Sequence, residues 1–316
     1  MILTVTPNAA VDKTFRVPGF SLDRVHRPSA AHTVAGGKGI NVARVFQALG
    51  GRAISTGLLG GVQGQIVARA LEAENLPGQF VPCEGETRLC IAVIDPDTGS
   101  QTEINERGPE ISMRTVSKLL RRIQSLLSQQ PFDFVVLSGS LPPGAPETLY
   151  AEIIALARRS GVRAVLDTSG PALVAGLAAK PWMAKPNRAE LEAALGVSIS
   201  DPAERLEIAR RLHAGGIDVV TITLGKDGAL MACAQGCRAA APPTVEFASA
   251  VASGDSFVAG FLWGWAHGPE AGSAEYSLRL ACGAGAANAA VIGAGFCTRE
   301  SIFAHADRVT VTPCGA

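Results

Sequence analysis

The chain has 316 residues, 47% of them apolar, enough to bury a substantial core and too many for a disordered chain. Its 28 Lys and Arg balance its 28 Asp and Glu, which excludes the strongly basic footprint of a nucleic-acid partner or an anionic-membrane binder. The seven cysteines, at 83, 90, 233, 237, 282, 297 and 314, form no C-x-x-C pair and the five histidines do not cluster, so neither a zinc site nor a disulfide framework is expected.

The start, Met1-Ile2-Leu3-Thr4-Val5-Thr6-Pro7, has neither the basic region nor the long apolar run of a signal peptide. The longest apolar run, Phe257 to Ala266, holds two glycines and is too short to cross a bilayer, so no membrane partner and a cytoplasmic location are expected. Strands are predicted at Ile2–Thr6, Phe134–Ser138, Ala164–Asp167 and Val219–Leu224. Helices are predicted at Ile40–Leu49, Ile66–Glu74, Val116–Ser128, Leu149–Ser160, Arg205–Ala214 and Ser273–Val291. Continuous apolar strands separated by helices predict an α/β fold with a doubly wound, mostly parallel sheet covered on both faces. Ligands of such sheets sit beyond the carboxyl ends of the strands.

Two early segments, residues 12–33 and 87–108, break this rhythm as short, partly polar strands, the second with a turn at Asp95-Pro96-Asp97-Thr98-Gly99. They read either as hairpins standing apart from the main sheet, as a lid would, or as irregular surface connections. No linker or repeat divides the chain, so residues 1–316 are read as one domain, with a loose end after Val311.

Four local motifs could carry chemistry. Gly36-Gly37-Lys38-Gly39 precedes a helix, and its glycines let backbone approach a ligand at the helix N-terminus. Lys38 is followed by Gly rather than Ser or Thr, so this is no Walker A loop. Lys185-Pro186-Asn187-Arg188-Ala189-Glu190 reads as a helix cap, and Thr223-Leu224-Gly225-Lys226-Asp227-Gly228 as a hairpin turn. Ala252-Ser253-Gly254-Asp255 runs into an apolar helix, where free N–H groups favour a migrating phosphoryl group and a carboxylate can take a hydroxyl proton. The plain alternative is that Ser253 or Asp255 is an N-cap.

Taken together and in this order, Gly-Gly-Lys-Gly-x-Asn, Lys-Pro-Asn-x-x-Glu, Leu-Gly-x-x-Gly and x-Ser-Gly-Asp resemble the ribokinase-like (PfkB) carbohydrate kinases, from Thr4 to about Ala294. The resemblance implies a doubly wound α/β core with a small β-sheet lid over the sugar, and ATP with Mg²⁺ as cofactors. It implies Asp255 as general base, with the N–H groups of Ala252, Ser253, Gly254 and Asp255 as an anion hole. Asn187 and Glu190 match residues holding metal-bound water and the nucleotide phosphates, and Lys185 lies beside the phosphate path. Thr223, Gly225 and Gly228 match the loop around the nucleotide. Gly283 and Asn288 match the adenine-side wall, with tight packing as their other reading. Asp12, Gly36, Gly37 and Asn41 match sugar contacts. The chain departs from the family at Ala252, where Gly is usual, and near Ser249, where relatives carry Asp or Asn beside a monovalent cation. A K⁺ site is thus left open.

Thr6-Pro7-Asn8-Ala9-Ala10-Val11-Asp12-Lys13, Thr87-Arg88 and Gly139-Ser140-Leu141-Pro142-Pro143-Gly144 resemble the hexose-phosphate branch of that family. A phosphorylated acceptor needs a cation, and Arg88 is the first choice for its bidentate geometry, with Lys38 as helper and a surface role as the alternative for Arg88. Ser138, at a strand end, is a further acceptor contact. The expected reaction is ATP-dependent phosphorylation of fructose 1-phosphate or tagatose 6-phosphate. Fructose 6-phosphate or a plain sugar is the alternative acceptor. An NAD-dependent oxidoreductase would need G-x-G-x-x-G where Pro7-Asn8-Ala9-Ala10 stands, and a silent sugar-phosphate sensor would not need Asp255, Asn187 and Glu190. An exposed lid edge makes a homodimer the expected assembly.

Overall fold

The computed structural model describes residues 1–315. The chain opens with β1 (Ile2–Thr6), β2 (Ala10–Arg16), β3 (Ala30–Gly36), α1 (Lys38–Ala48), β4 (Ala53–Leu59), α2 (Gly61–Ala73), β5 (Val81–Pro82), β6 (Arg88–Asp95) and β7 (Ser100–Asn105). There follow α3 (Met113–Gln129), β8 (Phe134–Ser138), α4 (Leu149–Arg159), β9 (Arg163–Asp167), α5 (Gly170–Ala178), β10 (Met183–Ala184), α6 (Arg188–Leu195) and α7 (Pro202–Ala214). The last part holds β11 (Val219–Thr223), β12 (Ala229–Cys233), β13 (Gly236–Ala241), α8 (Ser253–His267), α9 (Ala274–Ala289), α10 (Arg299–Ala306) and β14 (Thr310–Pro313).

The ten-stranded main sheet has the order β14-β13-β12-β11-β10-β9-β8-β1-β4-β5, parallel from β5 to β11 and antiparallel from there to β14. Its strands are apolar on both faces. Ile2, Phe134 and Val136 enter one core, and Leu3, Val5, Val135 and Leu137 enter the other. That two-sided burial is why the strands read as continuous apolar runs. The chain leaves β1 for β4 on one side and later returns to β8 on the other, which opens a crevice at the carboxyl ends of these strands.

A separate four-stranded sheet has the order β3-β2-β6-β7. Two antiparallel hairpins, β2–β3 and β6–β7, are joined by parallel pairing of β2 with β6. Of the two readings of these segments, the hairpins are what forms.

Several expectations shift. α2 starts at Gly61 rather than Ile66, and α7 at Pro202 behind an Asp201 cap rather than at Arg205. The end is not loose after Val311: β14 pairs with β13, and the Cys314 N–H donates to Cys237 O at 3.1 Å. No helix of the described residues is long and apolar enough to cross a membrane. α8 is buried from Asp255 to Gly264, and a Cβ at Gly260 would lie 2.8 Å from Leu280 O, so glycine lets α9 press against it. This packing fixes the N-terminus of α8 at the crevice.

Candidate active site

Between the small sheet and the carboxyl ends of the main sheet lies a cleft of about 1330 Å³. A single small ligand typically takes about 300–1,000 Å³, so the space suits two ligands side by side. The inner face of the small sheet follows the two-residue period of its strands. Val34, Asp12, Cys90 and Asn105 form one cross-strand row in the cleft wall, and Thr14, Ala92 and Glu103 the next. Cys90 and Glu103 were not anticipated from the sequence.

Asp12 packs so closely on Gly36 that a Cβ there would sit 2.1 Å from its carboxyl carbon. Burial pushes the Asp12 carboxyl up to about 6, against the pull of Arg88 and Arg44. Arg88 lines the cleft beside it. Its Nε donates to Asn8 O at 3.2 Å and its Nη1 to Glu106 O at 3.3 Å, which fixes the guanidinium at the small-sheet end.

At the centre of the cleft is the start of α8. Ala252 caps it with φ 63°, a left-handed conformation usually left to glycine. The N–H groups of Ala252, Gly254 and Asp255 have no protein acceptor among the described residues. The N–H of Ser253 is different: it donates to Ala250 O at 3.2 Å, so the expected four-donor hole is reduced to three.

Asp255 is 4% exposed, and its Oδ2 accepts a hydrogen bond from Asn41 Nδ2 at 2.9 Å. Burial and then the neighbouring Asp167 carboxylate push its carboxyl up to about 7, while Lys38, the Asn41 hydrogen bond and Lys185 act the other way. Lys38 Nζ and Lys185 Nζ each lie 3.2 Å from Asp167 Oδ1. Burial alone would lower the pKa of Lys38, but Asp167, Glu190 and Asp255 outweigh it and hold the ammonium charged. A Cβ at Gly254 would lie 3.4 Å from Lys185 Nζ, so this cation stands close to the first turn of α8. In the sequence Asp167 reads only as the end of a strand.

The α6 start forms a complete capping box. Asn187 Oδ1 accepts the Glu190 N–H at 2.8 Å, and Glu190 Oε2 accepts the Asn187 N–H at 2.8 Å. Glu190 Oε1 also lies 3.4 Å from Lys38 Nζ. Thr223 joins the cap through its N–H, which donates to Pro186 O at 3.1 Å. Gly225 (φ 62°) and Gly228 (φ 91°) form the turn to β12, and a Cβ at Gly228 would sit 1.8 Å from Ala240 O.

Magnesium is usually held by one or two carboxylates together with substrate phosphates rather than by a full protein cage. The described residues contain no cluster of three or more ligating side chains. They do present Glu190, and an Asp167 Oδ2 without a partner, beside a helix N-terminus and two ammonium groups. That donor set fits a metal carried in on a polyphosphate.

Three expected contacts are corrected by their surroundings. Gly283 faces α10, where a Cβ would lie 2.6 Å from Ala306, so its role there is close packing away from the cleft. Asn288 is fully buried behind the cleft wall, and its Nδ2 donates to Val251 O at 2.6 Å and Ser253 Oγ at 3.3 Å. It supports the α8 loop from behind. Ser138 is fully buried with an unpartnered Oγ and does not line the cleft. Ser249 donates to Gln101 Oε1 at 3.3 Å and accepts the Val251 N–H at 3.2 Å, so its hydroxyl orders this loop.

The model of the pfkB family carbohydrate kinases matches residues 5–301. The chain belongs to this family. The 1-phosphofructokinase of Rhodobacter capsulatus is 40% identical over 261 residues, covering 83% of this chain and 82% of the relative. The tagatose-6-phosphate kinase of Staphylococcus epidermidis is 36% identical over 270 residues, covering 84% and 86%. Among solved pfkB-like structures, phosphofructokinase-2 from Escherichia coli in complex with substrates and products superposes with a TM-score of 0.90 at 29% identity, over 97% of this chain and 98% of that one. As a pfkB kinase the protein is a carbohydrate kinase, and its doubly wound core with a small separate sheet is the fold expected from its motifs.

Proposed function

We propose that the protein transfers the γ-phosphoryl group of ATP to a ketohexose phosphate, fructose 1-phosphate or tagatose 6-phosphate, to form the bisphosphate. The observation that carries this reading is Asp255: a buried carboxylate in the first turn of α8, beside the unpartnered N–H groups of Ala252 and Gly254.

Phosphoryl transfer needs positioning and charge stabilisation more than covalent help. Asp255 takes the proton of the attacking hydroxyl, and its raised pKa brings it close to the working pH, where a general base is most effective. The free N–H groups, the α8 dipole and the Lys185 ammonium stabilise charge on the migrating group. Glu190, with Asn187 through water, would hold the magnesium carried by ATP, and that ion would supply neutralisation of phosphate charge. The turn at Gly225–Gly228 and the apolar residues Phe257 and Ala286 line the same cleft, and this reading assigns them to the nucleotide.

The acceptor lies under the small sheet, which serves as a lid. Asp12 and Asn41 bind its hydroxyls, and Arg88 its phosphate. Two relatives named for phosphorylated ketohexoses support this acceptor class. The outer strand β7 is exposed, with Ile104 60% accessible, which supports a second copy of the chain against this edge.

A panel of acceptors with ATP and Mg²⁺ tests the assignment: fructose 1-phosphate, tagatose 6-phosphate, fructose 6-phosphate, fructose and ribose. The two named hexose phosphates should give the highest kcat/KM. Preference for an unphosphorylated sugar would overturn the acceptor class and the role of Arg88.

A further inference from the structure

Arg44 is 7% exposed and does not line the cleft, yet every one of its N–H donors is committed. Nε donates to Glu74 Oε2 at 2.6 Å, and Nη2 to Glu74 Oε1 at 3.1 Å and Ala35 O at 2.8 Å. Nη1 donates to Asn41 Oδ1 at 2.9 Å and Ala294 O at 2.7 Å. The Phe296 ring covers the guanidinium, its centroid 4.6 Å from the central carbon. With no donor left over, Arg44 has nothing to offer a substrate.

We infer that Arg44 is a positioning residue for phosphoryl transfer, which fixes the Asp255 carboxylate through Asn41 and holds the α8 loop through the segment around Ala294. The inference rests on the reading of Asp255 as the base. An amide that accepts from a guanidinium through its oxygen must turn its NH₂ the other way, and that NH₂ is what Asp255 Oδ2 receives. A flipped Asn41 would set its oxygen against the carboxylate and its NH₂ against Arg44. Arg44 thus selects the amide orientation that keeps one Asp255 oxygen held and the other available for a proton.

The second arm runs from Ala294 to the loop. The N–H of the next residue, Gly295, donates to Asn288 Oδ1 at 2.9 Å, and Asn288 Nδ2 grips Val251 O and Ser253 Oγ. Base and anion hole are therefore tied to one guanidinium by separate routes. Glu74, the residue that caps the end of α2, anchors it from behind.

The test is the pH dependence of kcat at saturating fructose 1-phosphate and ATP–Mg²⁺ for Arg44→Met, Arg44→Lys and Glu74→Gln. Saturation keeps the effect of Arg44 on Asp12 out of the measurement. The groups facing Asp255, namely Asp167, Lys38 and Lys185, are unchanged in all three variants. Loss of the Asn41 hydrogen bond raises the Asp255 pKa, so the acid limb should move to higher pH. Near neutral pH, Arg44→Met should lose about 10- to 100-fold in kcat, recover part of it at alkaline pH, and change KM less than kcat. Arg44→Lys keeps the charge without the fork and should fall between Arg44→Met and the wild type. Glu74→Gln should shift the limb in the same direction by less, and it decides the matter if Arg44→Met does not fold.

A loss equal at every pH, or a change in KM alone, overturns the inference and leaves Arg44 as a structural ion pair. Asp255→Asn, measured in parallel, separates the two claims. Retained turnover there removes the base itself. Lost turnover there, with unshifted Arg44 and Glu74 profiles, removes only the role of Arg44.

Discussion

The Lys185 ammonium lies 3.2 Å from Asp167 Oδ1, with the two side chains only 3% and 0% exposed. Lys38 approaches the same oxygen, so one carboxylate is shared by two cations, and Glu190 lies against the second of them. Such an arrangement suits a polyanion that must arrive, react and leave. Burial opposes ionisation of Asp167, but Lys185 and Lys38 outweigh it and hold its pKa below the usual carboxylate range.

Lys185→Met removes the buried partner of Asp167. Breaking a buried pair costs about 3–5 kcal/mol, and the remaining Lys38 should keep the loss toward the lower end. Because the folded pKa of Asp167 is depressed, its pairing stabilises the fold above the unfolded carboxylate value and is lost as pH falls through the folded value. Denaturation of the variant and the wild type should therefore differ most at neutral pH and converge in acid. An unchanged midpoint at neutral pH would show that Lys185 contributes nothing to the fold.

Asp255 has the opposite linkage. Its folded pKa is raised to about 7, so the protonated carboxyl stabilises the fold at low pH, and this stability is lost as pH rises through the folded value. Catalysis needs the ionised form, so kcat should fall as pH drops below about 7 while the Asp255 contribution to stability rises. Asp255→Asn should melt higher than the wild type in mildly alkaline buffer, by about 2–4 °C per kcal/mol relieved. An equal or lower Tm there would mean the ionised carboxylate is not strained.

Arg88→Ala should cost more with fructose 1-phosphate than with fructose, by about 10-fold or more in relative kcat/KM, the size expected for losing a charge-assisted hydrogen bond of about 1.5–3 kcal/mol. Initial rates with both acceptors measure this. Equal losses would mean that Arg88 serves only its carbonyl contacts to Asn8 and Glu106.

Ala252 holds a left-handed conformation that costs an L-residue about 1–2 kcal/mol. Ala252→Gly removes that strain but frees the unfolded chain by about 0.4–1 kcal/mol, so its Tm should equal or slightly exceed that of the wild type. Ala252→Val, with a β-branched side chain at positive φ, should lower both Tm and turnover. Thermal melts of the two variants give the answer. A stable, fully active valine variant would mean that this conformation is not required.

Four strands of the main sheet, β1, β8, β9 and β11, were legible because they are apolar and buried on both faces, and the helices between them because they are amphipathic. α3 is the clearest case, with Val116, Leu119, Ile123 and Leu126 buried on one side. The start of α2 was hidden because its cap comes from outside the segment: the Glu86 carboxylate accepts the N–H groups of Val62 and Gln63. The residues grouped at Asp255, among them Lys38, Asn41, Lys185 and Glu190, were legible through the ordered motifs. Asp167 and Arg44 were not, since a strand end and a helix Arg acquire meaning only from what the fold places against them. Arg44 does sit three residues after Asn41 on the same helical face, and that spacing was the available signal. Gly283 misled because a helix-packing glycine and a ligand-facing glycine look alike in sequence.

The most direct test of the account is the rate of phosphoryl transfer from ATP to fructose 1-phosphate by Asp255→Asn, measured with acceptor affinity in the same preparation. The rate should fall by about 10²–10⁴ while acceptor binding is retained. Turnover within about tenfold of the wild type would contradict it, because a general base cannot be removed at so small a cost.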